Sequence, residues 1–216
     1  MISKCSQALA ATCFSLATLG SVAQAVEEKV VGKAYDLETG DYLYSEHHLC
    51  NAQTTLCNVL YRDDQGELIA RKQVDYSSNL QSPSLQMEDF RLDAQVELQP
   101  LGDPELVVDA GFDNYVRLRW DELAQGATLK FPFQIMGRSN PLAMQAKRVV
   151  ETDGCGSDEL CLEVALNSWL LGMIVDPIEL TYEVDSRRLM RFRGISNVRG
   201  DEGEKQFVDI RYSYSE

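Results

Sequence analysis

Apolar and polar residues alternate with a period of two along most of this chain, and this alternation limits its fold more than any other feature. The pattern starts with Val31, Lys33, Tyr35 and Leu37, turns at residues 38–41 and then resumes. A period of two places successive side chains on opposite faces of a strand, and turn residues between such runs join antiparallel neighbours. The chain therefore predicts a mainly β protein with eight to eleven strands. They are predicted at residues 31–37, 42–48, 59–61, 68–70, 128–136, 142–151, 160–167, 178–184, 189–198 and 206–214.

One segment departs from this period. Between Gly111 and Gly126, apolar residues recur at steps of three and four, which is typical of an amphipathic helix. They are Phe112, Tyr115, Val116, Leu118, Trp120 and Leu123. A shorter apolar run at 169–175, closed by Asp176-Pro177, fits a second short helix or a buried strand equally well.

The first 25 residues predict a cleavable signal peptide. Lys4 supplies the positive charge, residues 8–19 the apolar core, and Ala23-Gln24-Ala25 the cleavage pattern. Residues 26–216 contain no linker and no second apolar run of the roughly 20 residues that a transmembrane helix needs. We therefore expect a secreted chain whose residues 26–216 form a single antiparallel β domain.

The net charge of −14 limits the class of partner. Nucleic acids and anionic membrane surfaces attract clustered Lys and Arg, so neither partner is expected. The exception is a cluster of arginines at 187, 188, 191 and 193, which could hold an anionic headgroup or a partner's carboxylates. Alternatively, Arg191 and Arg193 lie on a solvated strand face beside Glu179 and Glu183.

Four cysteines remain after the signal peptide, in a compartment where disulfides persist. Three connectivities are available to them. The favoured one joins Cys50 to Cys57 and Cys155 to Cys161, because each pair closes a short polar segment between predicted strands. Such loops contribute about 2 to 3 kcal/mol on the chain-entropy model, so these disulfides are expected to be structural.

Metal binding and catalysis receive little support from the sequence. His47 and His48 lie near Cys50 and Cys57, but adjacent residues of a strand point to opposite faces, so only one histidine could join the thiolates. A disulfide beside two surface histidines is the favoured interpretation. Acidic pairs fall in predicted turns, and no Gly-x-Ser-x-Gly motif is present. We expect no metal, no cofactor and no enzymatic activity.

The last predicted hairpin allows a strand register to be derived. A two-residue loop at Ser186-Arg187 would bring Leu180 opposite Arg193 and mix charge into an apolar face. A three-residue loop at 185–187 gives one apolar and one charge-matched face instead. Its pairs are Leu180–Phe192, Tyr182–Met190, Glu179–Arg193 and Thr181–Arg191.

Several motifs resemble a group of uncharacterised exported proteins of proteobacteria, over most of residues 30–214. They are Gly111-Phe112-Asp113-Asn114-Tyr115-Val116 with Trp120, Phe131-Pro132-Phe133, Asn167-Ser168-Trp169-Leu170-Leu171, Asp176-Pro177-Ile178 and Gly194-Ile195-Ser196-Asn197. The group brings no established activity, but with the signal peptide it implies the periplasm of a Gram-negative bacterium. The closing alternation of Val208, Ile210, Tyr212 and Tyr214 also resembles the LolA- and LolB-like lipoprotein carriers at the level of the fold. That likeness implies a curved antiparallel sheet, a half-open barrel, with one amphipathic helix packed on its concave face.

The chain has more large apolar side chains than one helix can cover, which favours a binding pocket over a fully packed interior. The candidate ligand-binding lining is Trp120, Phe131, Phe133, Trp169, Leu170, Met173 and Ile174. We therefore expect a non-catalytic periplasmic binding or carrier protein for a lipophilic ligand or lipid moiety. The alternative is an envelope protein-protein interaction or structural module, in which the same residues form a filled core.

Overall fold

The computed structural model describes residues 26–99, 102–149, 155–168 and 177–215, which form one sheet of thirteen strands. The strands are β1 (Val26–Asp36), β2 (Tyr42–Asn51), β3 (Leu56–Arg62), β4 (Leu68–Asp75), β5 (Ser84–Asp89), β6 (Ala94–Leu98), β7 (Val107–Val108), β8 (Leu129–Gln134), β9 (Leu142–Arg148), β10 (Glu159–Leu166), β11 (Ile178–Glu183), β12 (Leu189–Ile195) and β13 (Phe207–Tyr214). Their order across the sheet is β6-β5-β4-β3-β2-β1-β13-β12-β11-β10-β9-β8-β7. The predicted mainly β architecture is confirmed, whereas the predicted count of eight to eleven strands was too low, because β5, β6 and β7 were not among the predicted strands. All neighbours are antiparallel except β7, which runs parallel to β8.

Connections of four or five residues join β1 to β2, β2 to β3, β3 to β4, β5 to β6 and β11 to β12, so these neighbours in the sheet are also neighbours in the chain. Asp36 Oδ1 accepts hydrogen bonds from the amides of Glu38 and Thr39 at 2.9 and 2.8 Å. Gly40 completes this turn with φ +77°, a conformation that glycine adopts without steric cost. Pairing of β1 with β13 then joins the two halves of the meander.

The alternation of the sequence is visible as two faces of the sheet. In β13, Val208 and Ile210 are buried, whereas Phe207 and Arg211 are exposed. The face that carries Val208 and Ile210 holds the apolar core, and helices pack against its β8–β11 part; we name it the inner face. The opposite, outer face carries most of the charged side chains of the strands.

Two short helices replace the single predicted helix. A 3₁₀ turn (Asp109–Gly111) leads into α1 (Phe112–Leu118) and α2 (Trp120–Ala124), and the backbone leaves helical geometry at Arg119, with φ −107° and ψ 20°. Of the residues that the periodicity placed on the apolar side, Tyr115 and Trp120 are buried against the inner face of β8–β11, whereas Leu118 is 60% exposed. Neither helix has the length and apolar character that crossing a bilayer requires.

The two ends of the strand order contact each other. The amide of Val108 donates to the carbonyl of Gln81 at 2.9 Å, although β7 and the β4–β5 connection lie at opposite ends of the sheet. Nearby, Leu106 and Val108 pack with Val74 and Leu85 in one apolar cluster. The sheet therefore curves back on itself, while no ladder joins β6 to β7.

The register predicted for the β11–β12 hairpin is confirmed for three of its four pairs. Glu179, Leu180 and Thr181 lie opposite Arg193, Phe192 and Arg191, as expected. The fourth pair was wrong, because Tyr182 lies opposite Leu189 and a bulge separates it from Thr181. Met190 is the extra residue of the bulge, so beyond it the amide of Glu183 bonds the carbonyl of Arg188 and the connection between the paired strands is one residue shorter than predicted. Within this connection Arg187 adopts φ +55°.

Both favoured disulfides are present. Cys50 and Cys57 occupy directly paired positions of β2 and β3, with their Cα atoms 4.1 Å apart. Cys155 and Cys161 join the start of β10 to the residues before it, at a Cα separation of 6.1 Å. Two disulfides in one chain indicate an oxidising compartment. The predicted signal peptide of residues 1–25 lies outside the described residues.

Candidate functional site

The structure divides the predicted apolar lining into three parts. Trp120 and Phe131 are each only 5% exposed and belong to the packed core, whereas Phe133 is half-buried at its margin. Trp120 packs edge-on against Tyr182, with ring centroids 5.9 Å apart. The other four residues of the prediction, Trp169, Leu170, Met173 and Ile174, lie outside the described residues.

Four rings stack between α1 and β8, and we name them the aromatic layer: Phe112, Tyr115, Phe131 and Phe133. The centroids of Tyr115 and Phe131 are 4.8 Å apart, and Phe112 lies 5.5 Å from Phe131 and 5.8 Å from Phe133. Such contacts stabilise the layer beyond the burial of area. Phe112 and Phe133 are half-buried, so one margin of the layer is accessible to an apolar group.

A second assembly on the inner face was not predicted from the sequence. We name it the buried polar cluster: Tyr44, Glu46, Tyr61, Lys72 and Asp109. Lys72 is 7% exposed and its Nζ lies 3.2 Å from Asp109 Oδ1. Asn197 Nδ2 donates to both oxygens of the same carboxylate, at 3.2 and 3.1 Å. The cluster thus ties β4 to the 3₁₀ turn and to the β12–β13 connection.

The electrostatics of the cluster fix its chemical character. Burial by itself would lower the pKa of Lys72, but the carboxylate of Asp109, with support from Tyr61 and Glu46, raises the pKa well above the ordinary lysine value. Lys72 is therefore a protonated ammonium ion and acts as an ion-pair partner. It does not act as a base or a nucleophile, because both roles require the neutral amine. For the tyrosines the effect of burial has the opposite sign, because their charged form is the deprotonated one: burial raises the pKa of Tyr44 and Tyr61.

Glu46 extends the cluster along β2. Its Oε2 accepts a hydrogen bond from the hydroxyl of Tyr212 at 3.3 Å and lies 3.2 Å from Nε2 of His48. The hydroxyl of Tyr44 contacts Ser196 Oγ at 2.6 Å. These polar groups satisfy one another inside the protein, which is what burial of polar groups demands.

The backbone of Asp109 is strained. Its φ is +33°, which is unfavourable for a residue with a Cβ. The ion pair with Lys72 and the hydrogen bonds from Asn197 hold it there. One sequence signal for this cluster exists: Lys72 occupies an inward position of β4 between Ala70 and Val74, where the alternation calls for an apolar residue. Asp109 carries no comparable signal.

The arginine cluster has partners within the chain. Arg193 pairs with Glu179 at 2.7 Å, as the charge-matched strand face predicts. Arg191 instead donates two hydrogen bonds of 2.7 Å each to the carboxylate of Asp209 in β13. The guanidiniums of Arg187 and Arg188 lie over aromatic rings, those of Trp120 and Tyr214, at 5.2 and 4.9 Å from the centroids. The interpretation as a charge-paired strand face therefore accounts for these residues better than an anion site.

The histidines do not share a site with thiolates. Cys50 and Cys57 are bonded to each other, so neither offers a free thiolate. His47 lies 3.1 Å from the hydroxyl of Ser45 on the outer side of β2, whereas His48 reaches Glu46 on the inner face. Cys155, Glu159 and Cys161 converge as well, but the two cysteines form the second disulfide.

Known proteins add no assignment to this geometry. Comparisons of the chain with protein-family models, with curated proteins and with solved structures find no match.

Proposed function

We propose that this protein is a non-catalytic binding or carrier protein of the periplasm for a lipophilic ligand or lipid moiety. In this proposal the curved sheet corresponds to the half-open barrel of the LolA- and LolB-like carriers, and the helices correspond to the element packed on its concave face. Two features support this correspondence. The sheet curves so that Val108 contacts Gln81, and α1 and α2 lie on the inner face. The two disulfides agree with an exported protein.

The observation that carries the proposal is the accessible margin of the aromatic layer. Phe112 and Phe133 are half-buried, and the half-buried Leu142 and Leu166 pack against the same core from β9 and β10. Apolar surface that the fold leaves partly in contact with water gains free energy when an acyl chain or similar group covers it, at about 25 cal/mol per Å². Concave apolar surface with few polar groups is the usual lining of such sites.

Native mass spectrometry of the protein purified from a periplasm without detergent tests the proposal directly. We expect a lipophilic molecule to co-purify and to be released by solvent extraction. The lipid-free protein should then bind the fluorescent apolar probe N-phenylnaphthylamine, with a blue shift of its emission.

A matched pair of variants tests whether the probe binds at the aromatic layer. Phe133→Ala removes a ring at the margin of the aromatic layer and should weaken probe binding, whereas Phe207→Ala removes a partly exposed ring from the outer face of β13 and should not. The proposal is contradicted if both variants bind the probe equally, or if the lipid-free parent protein does not bind it.

A second function is favoured by a different observation. Trp120 and Phe131 are almost completely buried, as they would be in an interaction module whose core is filled by its own side chains. In that case no ligand co-purifies, and the partner is a protein of the envelope. Crosslinking in intact cells, followed by identification of the attached polypeptide, distinguishes this alternative from the carrier.

A further inference from the structure

A groove of about 350 Å³ crosses the outer face of β3–β6, on the opposite side of the sheet from the aromatic layer. Its floor includes a row of polar side chains at directly paired positions of four adjacent strands. The row runs Asn58, Gln73, Gln86 and Glu97. With neighbouring strands about 4.8 Å apart, the row extends over roughly 14 Å.

The three carboxamides of this row make no side-chain hydrogen bond to any residue that the structure describes. The adjacent row differs, because it contains the ion pair of Arg71 with Glu88 at 2.7 Å. Further along the sheet, Lys147 pairs with Glu163 at 2.9 Å. Cross-strand ion pairs thus stabilise these two places on the face, whereas the carboxamide row has donors and acceptors without protein partners among the described residues, at regular spacing.

We propose that this groove binds an uncharged, hydroxyl-rich oligosaccharide. A carboxamide offers both a donor and an acceptor in one plane, and a sugar presents both from adjacent hydroxyls. The volume falls in the range of small-ligand sites, about 300 to 1,000 Å³. A row that spans four strands suits an extended chain of sugar units better than a compact metabolite.

The charges of the groove select among ligands. Lys and Arg are absent from its lining, while Asp75 and Glu97 contribute carboxylates on a chain of net charge −14, so an anionic ligand would be repelled. Aromatic rings are absent from the lining as well, and of its aliphatic side chains Val74 and Leu85 are buried while Leu56 is exposed. An uncharged polar ligand remains the best match, and it is independent of the lipophilic site proposed above.

The test is an NMR titration of the ¹⁵N-labelled mature protein with three uncharged hexasaccharides: maltohexaose, cellohexaose and chitohexaose. Side-chain NH₂ resonances of Asn58, Gln73 and Gln86 should shift with at least one of them, with a dissociation constant in the millimolar range or below. Resonances of the aromatic layer should remain unchanged.

A matched pair of variants completes the test. Gln73→Ala removes a carboxamide from the centre of the row and should weaken binding about tenfold. Gln145→Ala removes a similar, half-buried side chain from the outer face of β9, outside the groove, and should bind as the parent does. The proposal is overturned if none of the sugars shifts the carboxamides, or if both variants bind equally.

Discussion

Lys72 and Asp109 carry opposite charges in a part of the molecule that water hardly reaches. Desolvation of such a pair is costly, and loss of one partner leaves the other charge buried without compensation. We therefore predict that Lys72→Met lowers the free energy of unfolding by about 3 to 5 kcal/mol, measured by urea denaturation at neutral pH. A cost below about 1 kcal/mol would contradict the buried ion pair.

A double-mutant cycle separates the ion pair from general disruption of the site. Combining Lys72→Met with Asp109→Asn should cost clearly less than the sum of the two single changes, because neither member of the pair is left as a buried charge without its partner. Asn also tolerates the positive φ of this position, so it should be the milder replacement when compared with Asp109→Ala. Strict additivity would mean that the two residues do not interact.

Asp209 provides a second residue-level prediction, of acid sensitivity. Its burial would raise the pKa of the carboxyl, but Arg191 and Arg211 outweigh this effect and lower the pKa below its ordinary value of 3.8. A lowered pKa in the folded state adds stability above the ordinary value, and this stability disappears as the pH falls through the folded-state pKa. Asp209→Asn should therefore reduce stability at neutral pH and flatten its decline in acid. The midpoint of urea denaturation, recorded as a function of pH, measures the loss at neutral pH and the slope in acid. The control is Asp64→Asn in an exposed turn, which should keep the pH dependence of the parent protein.

At the scale of elements, the β11–β12 hairpin invites a charge-reversal experiment. Glu179 and Arg193 are opposite each other and partly exposed, so their pairing contributes modestly, about 0.2 to 1 kcal/mol. Glu179→Arg places two positive charges opposite each other and should lower the melting temperature. Adding Arg193→Glu restores an attractive pair and should recover most of the loss; failure to recover it would contradict the register.

The same hairpin shows how far local sequence predicts an element. Leu180 and Phe192 could be paired in advance because an apolar face and a charge-matched face exist together in only one register. The bulge before Tyr182 could not be predicted, nor could the left-handed conformation of Arg187, because side-chain periodicity is insensitive to both. The helices give a similar result: spacing identified the buried side chains Tyr115 and Trp120, but not the break in the backbone at Arg119.

At the scale of the whole molecule, prediction from the sequence fails where two residues that contact each other are far apart in the chain. Alternation predicted a mainly β protein, and short spacing favoured the two disulfides that form. The buried polar cluster joins Lys72 to Asp109 and Asn197, which are far apart in sequence and meet only because the sheet curves. An inward lysine in β4 was a visible irregularity, yet nothing local specified its partner. Phe131 and Phe133 could be placed on one strand face, whereas their different exposure depends on the covering helices.

The contact between the two ends of the curved sheet passes through a point where only a glycine fits. A Cβ added to Gly111 would collide with the backbone carbonyl of Gln81 and lie 2.7 Å from Cδ of Pro83, where the two ends of the strand order meet. Gly111→Ala must therefore push the β4–β5 connection away, and we predict a loss of about 1 to 3 kcal/mol in the free energy of unfolding.

Hydrogen exchange locates the effect of this substitution. The amide of Val108 bonds the carbonyl of Gln81, so its exchange should accelerate in Gly111→Ala more than that of amides in the central strands β1 and β13. Gly156→Ala is the matched control, because its new methyl would meet only the side-chain carboxylates of Glu159 and Asp158, at 3.3 and 3.4 Å, and no backbone atom. If Gly111→Ala leaves both stability and the exchange of Val108 unchanged, the contact between the ends of the sheet is not what maintains its curvature.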